Sequence, residues 1–329
     1  MVLVTGGTGL VGAHLILHLI ENGERVRAIY RRKKTIQKTH SLFSLHKKNS
    51  LFDQIEWIQA DIIQVPSLED AFENIEYVYH CAALISFDPK DEELLRKTNI
   101  EGTSNIVNFC IAKNVKKLCY VSSIAALGDL KENEKIITEE TEWNPEKPHS
   151  DYAISKYGAE MEIWRGQQEG LNAVIVNPGV ILGPRIWEKG SGILFKSIEN
   201  GFPFYSTGTT GVIAVTDVAK IAVQLMKTEI KNERFTLIAQ NIIFQDVFNS
   251  IADALKAKRP SVYVGPHLTS ILWRLDWLVS TVFRTKRKLD RATAIASYSK
   301  NTYSNEKIKT VLETNFIDIH QYIREISIK

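Results

Sequence analysis

Eight residues near the start of the chain constrain its fold more than any others: Thr5-Gly-Gly-Thr-Gly-Leu-Val-Gly12. They join a β-branched run, Val2–Thr5, to a segment, Leu10–Glu21, whose apolar residues recur at helical spacing until Asn22-Gly23 stops it. Between a strand and a helix, Gly6 permits the tight turn and Gly9 lets a pyrophosphate approach the backbone. Gly12 lets helix and sheet pack closely, and the helix start at Leu10 and Val11 offers free N–H groups and a positive dipole end. The turn predicts a dinucleotide site; its bland alternative is a glycine-rich turn with a purely structural role.

Arg25–Tyr30, Ile55–Gln59, Tyr77–Cys81, Lys117–Val121 and Ala173–Asn177 read as further strands. Helical patterns near 67–73, 91–113 and 151–168 lie between them. Alternation at this spacing predicts an α/β fold, a Rossmann-type doubly wound parallel sheet covered on both faces. After Pro178 the texture turns loop-rich: Gly183-Pro184, Gly190-Ser-Gly192 and Gly201-Phe-Pro203 punctuate it, with helical patterns at 216–228 and 244–257. The division expected is a nucleotide-binding unit at 1–178 and a smaller, loop-rich α/β substrate cap at 179–329, with an element returning to the first unit near 211–228.

Composition narrows the partners. Lys+Arg 41 against Asp+Glu 38 gives a formal +3, too balanced to argue for a nucleic-acid partner. Three scattered cysteines (Cys81, Cys110, Cys119) predict neither a disulfide framework nor a zinc site, and the histidines show no metal-ligand spacing, so no metal is expected. Met1-Val-Leu-Val-Thr5 has no basic leader, so the expectation is a cytoplasmic protein without a cleaved signal. Ile271–Phe283 is apolar but carries Arg274 and Asp276 and is too short to span a bilayer.

The small net charge hides a concentration. Residues 31–48 hold seven Lys/Arg and no acid, leaving the rest of the chain at −4. This run begins where the second strand ends, at Tyr30-Arg31-Arg32, where an NAD site usually places an acid for the ribose 2′-hydroxyl. Guanidinium groups suit a 2′-phosphate instead. Arg31, with Arg32 beside it, therefore favours NADP(H), with NAD(H) the alternative; a solvated basic loop is the bland reading.

The fifth strand runs into Ser122-Ser123, and Tyr152-Ala-Ile-Ser-Lys156 opens a helical segment downstream. Tyr and Lys at i and i+4 share a helix face, so the Lys156 ammonium can lower the Tyr152 phenol pKa, while Ser123 can bond the same substrate oxygen. The spacing alone carries no weight, since Tyr30/Lys34 and Tyr303/Lys307 repeat it. Only Tyr152 follows a Ser-Ser strand end at the carboxyl edge of the sheet, where ligands of such sheets bind.

Taken in order, Thr5-Gly-x-x-Gly-x-x-Gly12, Cys81-Ala-Ala83, Asn99-Ile-Glu-Gly-Thr103, Ser122-Ser123, Tyr152-x-x-x-Lys156 and Pro178-x-x-x-x-Gly-Pro184 resemble the extended short-chain dehydrogenase/reductase superfamily over about residues 1–220. The resemblance implies that Tyr152 is the catalytic acid/base, Lys156 binds the nicotinamide ribose and tunes Tyr152, and Ser123 positions the substrate oxygen. It also implies that Asp61 and Ile62 lie by adenine, that Ala82 and Ala83 line the cofactor cleft, and that Ser122 and Pro178 lie near the nicotinamide. A homodimer through two sheet-flanking helices is a further implication.

Within that superfamily, sugar-nucleotide epimerases and dehydratases commonly carry an Arg before the Asp that opens the next helix, and an Asn before the Gly-Pro. Here Thr210–Asp217 has no basic residue, and Val180 stands where the Asn would be. Val26-Arg-Ala-Ile-Tyr-Arg31 and Asn177–Pro184 are instead similar to the dihydroflavonol-reductase branch, and Ser122-Ser-Ile-Ala-Ala126 to the 3β-hydroxysteroid dehydrogenases. The expectation is an NADP(H)-dependent oxidoreductase for a small hydrophobic carbonyl or alcohol, with Phe87, Ser123, Gly179, Trp187 and Phe195 near the substrate. The alternatives are an NAD-dependent sugar-nucleotide epimerase/dehydratase and, more weakly, a non-catalytic dinucleotide-binding regulator. Finally, Leu268, Ile271, Leu272, Leu275, Leu278, Val279 and Val282 form a helical stripe, followed by Arg284, Lys286, Arg287 and Lys288. Packing against the cap is the expectation and a peripheral membrane contact the alternative.

Overall fold

The β-branched and aromatic runs form strands within a residue or so of the predicted spans: β1 (Val2–Thr5), β2 (Val26–Tyr30), β3 (Glu56–Gln59), β4 (Tyr77–His80), β5 (Lys117–Val121) and β6 (Ala173–Pro178). The later part of the chain adds β7 (Val180–Leu182), β8 (Phe204–Tyr205), β9 (Thr209–Ala214), β10 (Glu233–Leu237), β11 (Gln240–Ile243) and β12 (Val262–Tyr263). The computed structural model describes residues 1–184, 190–282 and 291–327. Seven strands make one sheet in the order β3-β2-β1-β4-β5-β6-β10, with every pair parallel. This is the Rossmann-type doubly wound fold. Its strand order reverses between β1 and β4, opening the crevice where such sheets take ligands.

Five longer helices are α1 (Leu10–Glu21), α2 (Gly102–Ala112), α3 (Asp151–Gln168), α4 (Val215–Met226) and α5 (Pro266–Val282). On one face of the sheet, Leu15 and Leu19 of α1 and Val218, Ile221 and Leu225 of α4 bury against Val4, Val174 and Val176. On the other, Ile106 and Val107 of α2 and Ala159 and Ile163 of α3 bury against Leu3, Val78, Leu118 and Ile175. Each fully buried Leu or Ile contributes about 1.5–3 kcal/mol. Two elements beyond residue 178 thus complete this unit: α4 covers α1, and β10 pairs with β6 from Glu233 beside Val174 to Leu237 beside Pro178.

The segment predicted as one helix over 91–113 is interrupted. A turn at Glu92–Leu95 runs into a wider π turn, Arg96–Glu101, before α2 begins. The π turn holds Asn99, which is buried and ties this helix to the cleft. The smaller lobe carries β7, β9 and β11 as a sheet around Leu182, Ile198, Val212, Ile242 and Ile251. Phe195, expected beside the substrate, is fully buried in this cluster and is a core side chain of that lobe.

Much of the apolar stripe of α5 faces away from the protein, against the packing expectation, while Leu272 of the stripe and the neighbouring Trp273 are half-buried. Leu268, Ile271, Leu275 and Val279 are exposed, Ile271 by 55% and Leu275 by 50%, whereas Thr269 and Ser280 face inward at 3% and 6%. The two inward hydroxyls are satisfied by carbonyls of their own segment, Thr269 donating to Gly265 O (2.8 Å) and Ser280 to Trp277 O (3.0 Å). Among the described residues, no helix is long and apolar enough to cross a membrane. Arg284, Lys286, Arg287 and Lys288 lie outside the described residues, as do the side chains of Leu278 and Val282.

Candidate cofactor and catalytic site

The glycine turn is shaped by what a side chain would meet. Gly6 has φ +69°, and a Cβ there would stand 2.7 Å from the Ala82 nitrogen; at Gly12 a Cβ would stand 2.3 Å from the Gly6 carbonyl oxygen. Gly9 differs, since a Cβ there would meet only the Gly6 oxygen, at 3.2 Å, leaving its other side open. No side chain caps α1 at Gly9. The turn is therefore a cradle with amide donors at a helix start, which fits a pyrophosphate. Leu10 and Val11 are half-buried at the same helix start.

At the far end of the crevice, the Arg31 guanidinium lies 4.0 Å from the Asp61 carboxylate and is largely exposed. Arg32 is exposed beside it. Asp61 also accepts the Ile63 N–H at 3.2 Å, which fixes the loop after β3. Ile62 turns its side chain into the core, against the space left by Gly102. Ala82 donates its N–H to Thr5 Oγ1 (3.1 Å), holding the β4 exit against the glycine turn, with Ala83 exposed next to it.

Ser150 caps α3 by accepting the Ala153 N–H at 3.1 Å, which sets Tyr152 in the first helical turn. Ser123, at the end of β5, hydrogen-bonds the Tyr152 phenol, and the Phe87 ring meets the Tyr152 ring edge-on at 5.8 Å. Burial pushes the Tyr152 phenol above its ordinary pKa, opposed by the Ser123 bond. The direct effect of Lys156 expected from the i,i+4 spacing is not the arrangement found. Lys156 is 1% exposed, and it donates to the Tyr120 hydroxyl (2.6 Å) and to the Val121 carbonyl (2.9 Å), with its ammonium 4.4 Å from the Tyr120 ring centre. Burial lowers its pKa to about 7, resisted by the charge of Glu160.

Tyr120 escapes the sequence reading because no linear pattern marks it; only the sheet brings it under Lys156. Behind it runs a buried polar chain. Thr103 donates to the Asn99 carbonyl (2.5 Å), and His80 bridges Thr103 through Nε2 (3.0 Å) and Thr5 through Nδ1 (2.6 Å). Because the Thr103 proton is committed to Asn99, the His80 Nε2 carries the hydrogen and Nδ1 accepts from Thr5. Burial lowers the His80 pKa to about 3, so it stays neutral here. Asn99 donates to Ser155 (2.9 Å), one residue before Lys156, and both accepts from and donates to the Leu84 backbone. Glu160, one turn beyond Lys156, accepts from Asn177 (2.5 Å) and pairs with Arg234 (3.3 Å), while Asn177 also donates to the Ser123 carbonyl (3.0 Å).

The structure thus brings together Ser123, Tyr152, Lys156 and Phe87 at the carboxyl edge of the sheet, with buried Ser122 beside Ser123 and Pro178 at the end of β6. Gly179 has a packing reason to lack a side chain: a Cβ there would stand 2.2 Å from the Gly211 carbonyl oxygen. Trp187 lies outside the described residues.

A fold and cleft of this kind define a class of nicotinamide-dinucleotide enzymes. Residues 2–237 match the model of the NAD dependent epimerase/dehydratase family, and the chain belongs to that family. It is 32% identical over 253 residues to a Synechocystis sp. protein provisionally named dihydroflavonol 4-reductase, covering 74% of this chain and 69% of that one. It is 26% identical to "Sterol demethylase protein B" of Methylococcus capsulatus, over 81% and 78% of the two chains. Among solved structures it superposes on yeast methylglyoxal/isovaleraldehyde reductase complexed with NADPH (TM-score 0.75, 22% identity, 99% and 96% of the chains). It also superposes on Thermus thermophilus UDP-glucose 4-epimerase complexed with NAD (TM-score 0.75, 22% identity, 99% and 97%). The chain is an NAD(P)-dependent oxidoreductase of the extended short-chain dehydrogenase/reductase type.

Proposed function

We propose that this enzyme uses NADP(H) to interconvert a carbonyl and a secondary alcohol on a small hydrophobic, uncharged substrate. The observation that carries the reading is the Phe87 ring packed edge-on against the Tyr152 phenol, which puts an apolar surface at the point of proton transfer. Val180 and the residues between Thr210 and Asp217 offer no cation for an anionic substrate. The reductase names among the relatives point the same way. Arg31 supports NADP(H): its exposed guanidinium has one long contact, to Asp61, and is open to a 2′-phosphate.

When bound, the nicotinamide supplies or takes up the hydride. Gly9 and the start of α1 hold the pyrophosphate, Arg31 the adenosine end, and Lys156 the ribose nearest the chemistry. In the reductive direction Tyr152 donates its phenolic proton to the substrate oxygen, while Ser123 bonds that oxygen and fixes its position. Lys156 is held by Tyr120 and Val121, which fixes its ammonium for that ribose. Tyr120 is a positioning residue: it keeps the ammonium in place and stabilises its charge.

A panel of ketones with NADPH and NADH tests the reading. Net oxidation of NADPH by an apolar ketone is expected, with Arg31→Ala raising the KM for NADPH about tenfold or more, as loss of a charge-assisted bond requires, and leaving that for NADH unchanged. Turnover of a nucleotide sugar without net cofactor change would assign the epimerase chemistry instead.

A further inference from the structure

We propose that α5 is a membrane-docking helix, lying in the plane of an anionic lipid surface with Leu268, Ile271, Leu275 and Val279 inserted among the acyl chains. A helix packed on its own protein turns its apolar stripe inward. Here Leu268, Ile271, Leu275 and Val279 face out, while the inward side carries half-buried Leu272 and Trp273 and the hydroxyls of Thr269 and Ser280, each bonded within its own segment. Exposing four large aliphatic side chains on one helix face is unfavourable in water, so the arrangement calls for an apolar occupant.

Charge and length identify the occupant. Along the sequence, Arg284, Lys286, Arg287, Lys288 and Arg291 follow the helix within nine residues, against one acid, Asp290. A run of cations that follows an amphipathic helix in sequence complements anionic headgroups. A second copy of this chain would bring the same run of cations after its own helix. Seventeen residues make a helix about 25 Å long, and it is not apolar enough to cross a bilayer, so it lies along the surface. The Arg274 guanidinium lies 4.6 Å from the Trp273 ring centre, a pairing suited to the headgroup boundary. Val262 and Tyr263, in the short strand three residues before the helix, are exposed as well. The proposal does not depend on the reaction catalysed.

The test is co-sedimentation of the full chain with vesicles of phosphatidylcholine alone and of phosphatidylcholine mixed with phosphatidylserine. The wild type is expected to pellet with the anionic vesicles, to stay in solution with the neutral ones, and to be released by salt. The double variant Ile271→Glu/Leu275→Glu should partition at least about tenfold more weakly, with its circular dichroism and dinucleotide binding unchanged. Should that variant fail to fold, Ile271→Gln/Leu275→Gln serves in its place with the same expectation. Wild type that stays in the supernatant with anionic vesicles at low salt overturns the proposal, as does a folded variant that pellets equally well. A wild-type dimer in sedimentation velocity that the variant converts to monomer, with no vesicle binding by either, assigns the stripe to a second copy and also overturns it.

Discussion

Helices α3 and α5 both depart from the usual division of a helix into apolar inner and polar outer faces, and they do so in opposite senses. α3 buries Lys156, Glu160 and Ser155, while Met161 on the same helix is exposed. α5 buries Thr269 and Ser280 and exposes its aliphatic stripe. The buried polar groups of α3 reach across to other elements: Tyr120 and Val121 on β5, Asn99 on the π turn, Asn177 and Arg234 on β6 and β10. Thr269 and Ser280 of α5 bond carbonyls of their own segment. Polar burial on α3 fixes positions at the cleft, whereas on α5 it only frees the other face for something outside the chain.

The largest expected effect lies on α3. Tyr152→Phe should lower kcat about 10²–10⁴-fold without altering the fold; a loss smaller than tenfold would remove this helix from the chemistry. Next come matched truncations read by urea unfolding. Ile163→Ala, on the buried face of α3, should lose about 2–5 kcal/mol, and Ile271→Ala on α5 no more than about 0.5 kcal/mol. Similar losses at both sites would show that the α5 stripe is buried.

The polar chain behind α3 should also show itself in acid. The His80 pKa falls from 6.5 to about 3 on folding, so below pH 6.5 the unfolded chain binds a proton that the native one does not. Stability is therefore lost as the pH falls from 6.5 toward 3, by about 2 kcal/mol at pH 5 for this one residue. His80→Asn should flatten the decline of the urea midpoint between pH 7 and 5; an unchanged slope would mean the imidazole is already solvated. The smallest effect concerns Tyr120. Its hydroxyl accepts from the Lys156 ammonium and favours the charged form, so Tyr120→Phe lowers the lysine pKa further. The limb of kcat on which the lysine loses its proton should move from neutral to lower pH, and an unmoved limb would leave Tyr120 a packing residue only.

Local pattern made much of the fold legible. Strand–glycine–helix order, β-branched runs and helical spacing locate β1 to β6, α1 and α3 because each is specified by its own residues. Ser123, Tyr152 and Lys156 stand out for the same reason, as strand-end and helix-start residues at the carboxyl edge of a parallel sheet. What the linear pattern hides is long-range. Tyr120 is one more apolar-looking strand residue until β5 stacks beneath α3, and Phe87 sits in an irregular loop until it meets Tyr152. The α5 stripe is visible as a period, but periodicity does not say which side faces solvent. Phe195 looks like a pocket aromatic because aromatics serve pockets and cores alike.

One feature of the sheet governs how the chain comes off the ribosome. β10 and α4 close the first unit, yet they are made only after the loop-rich segment that follows β6. For the 59 residues from Gly179 to Leu237, about 3–12 s of synthesis at roughly 5–20 residues per second, β6 stands as a bare edge, and until Met226 is made α1 shows an uncovered apolar face. The nascent chain should need protection through that interval, and a fragment ending at residue 178 should stay in it and aggregate.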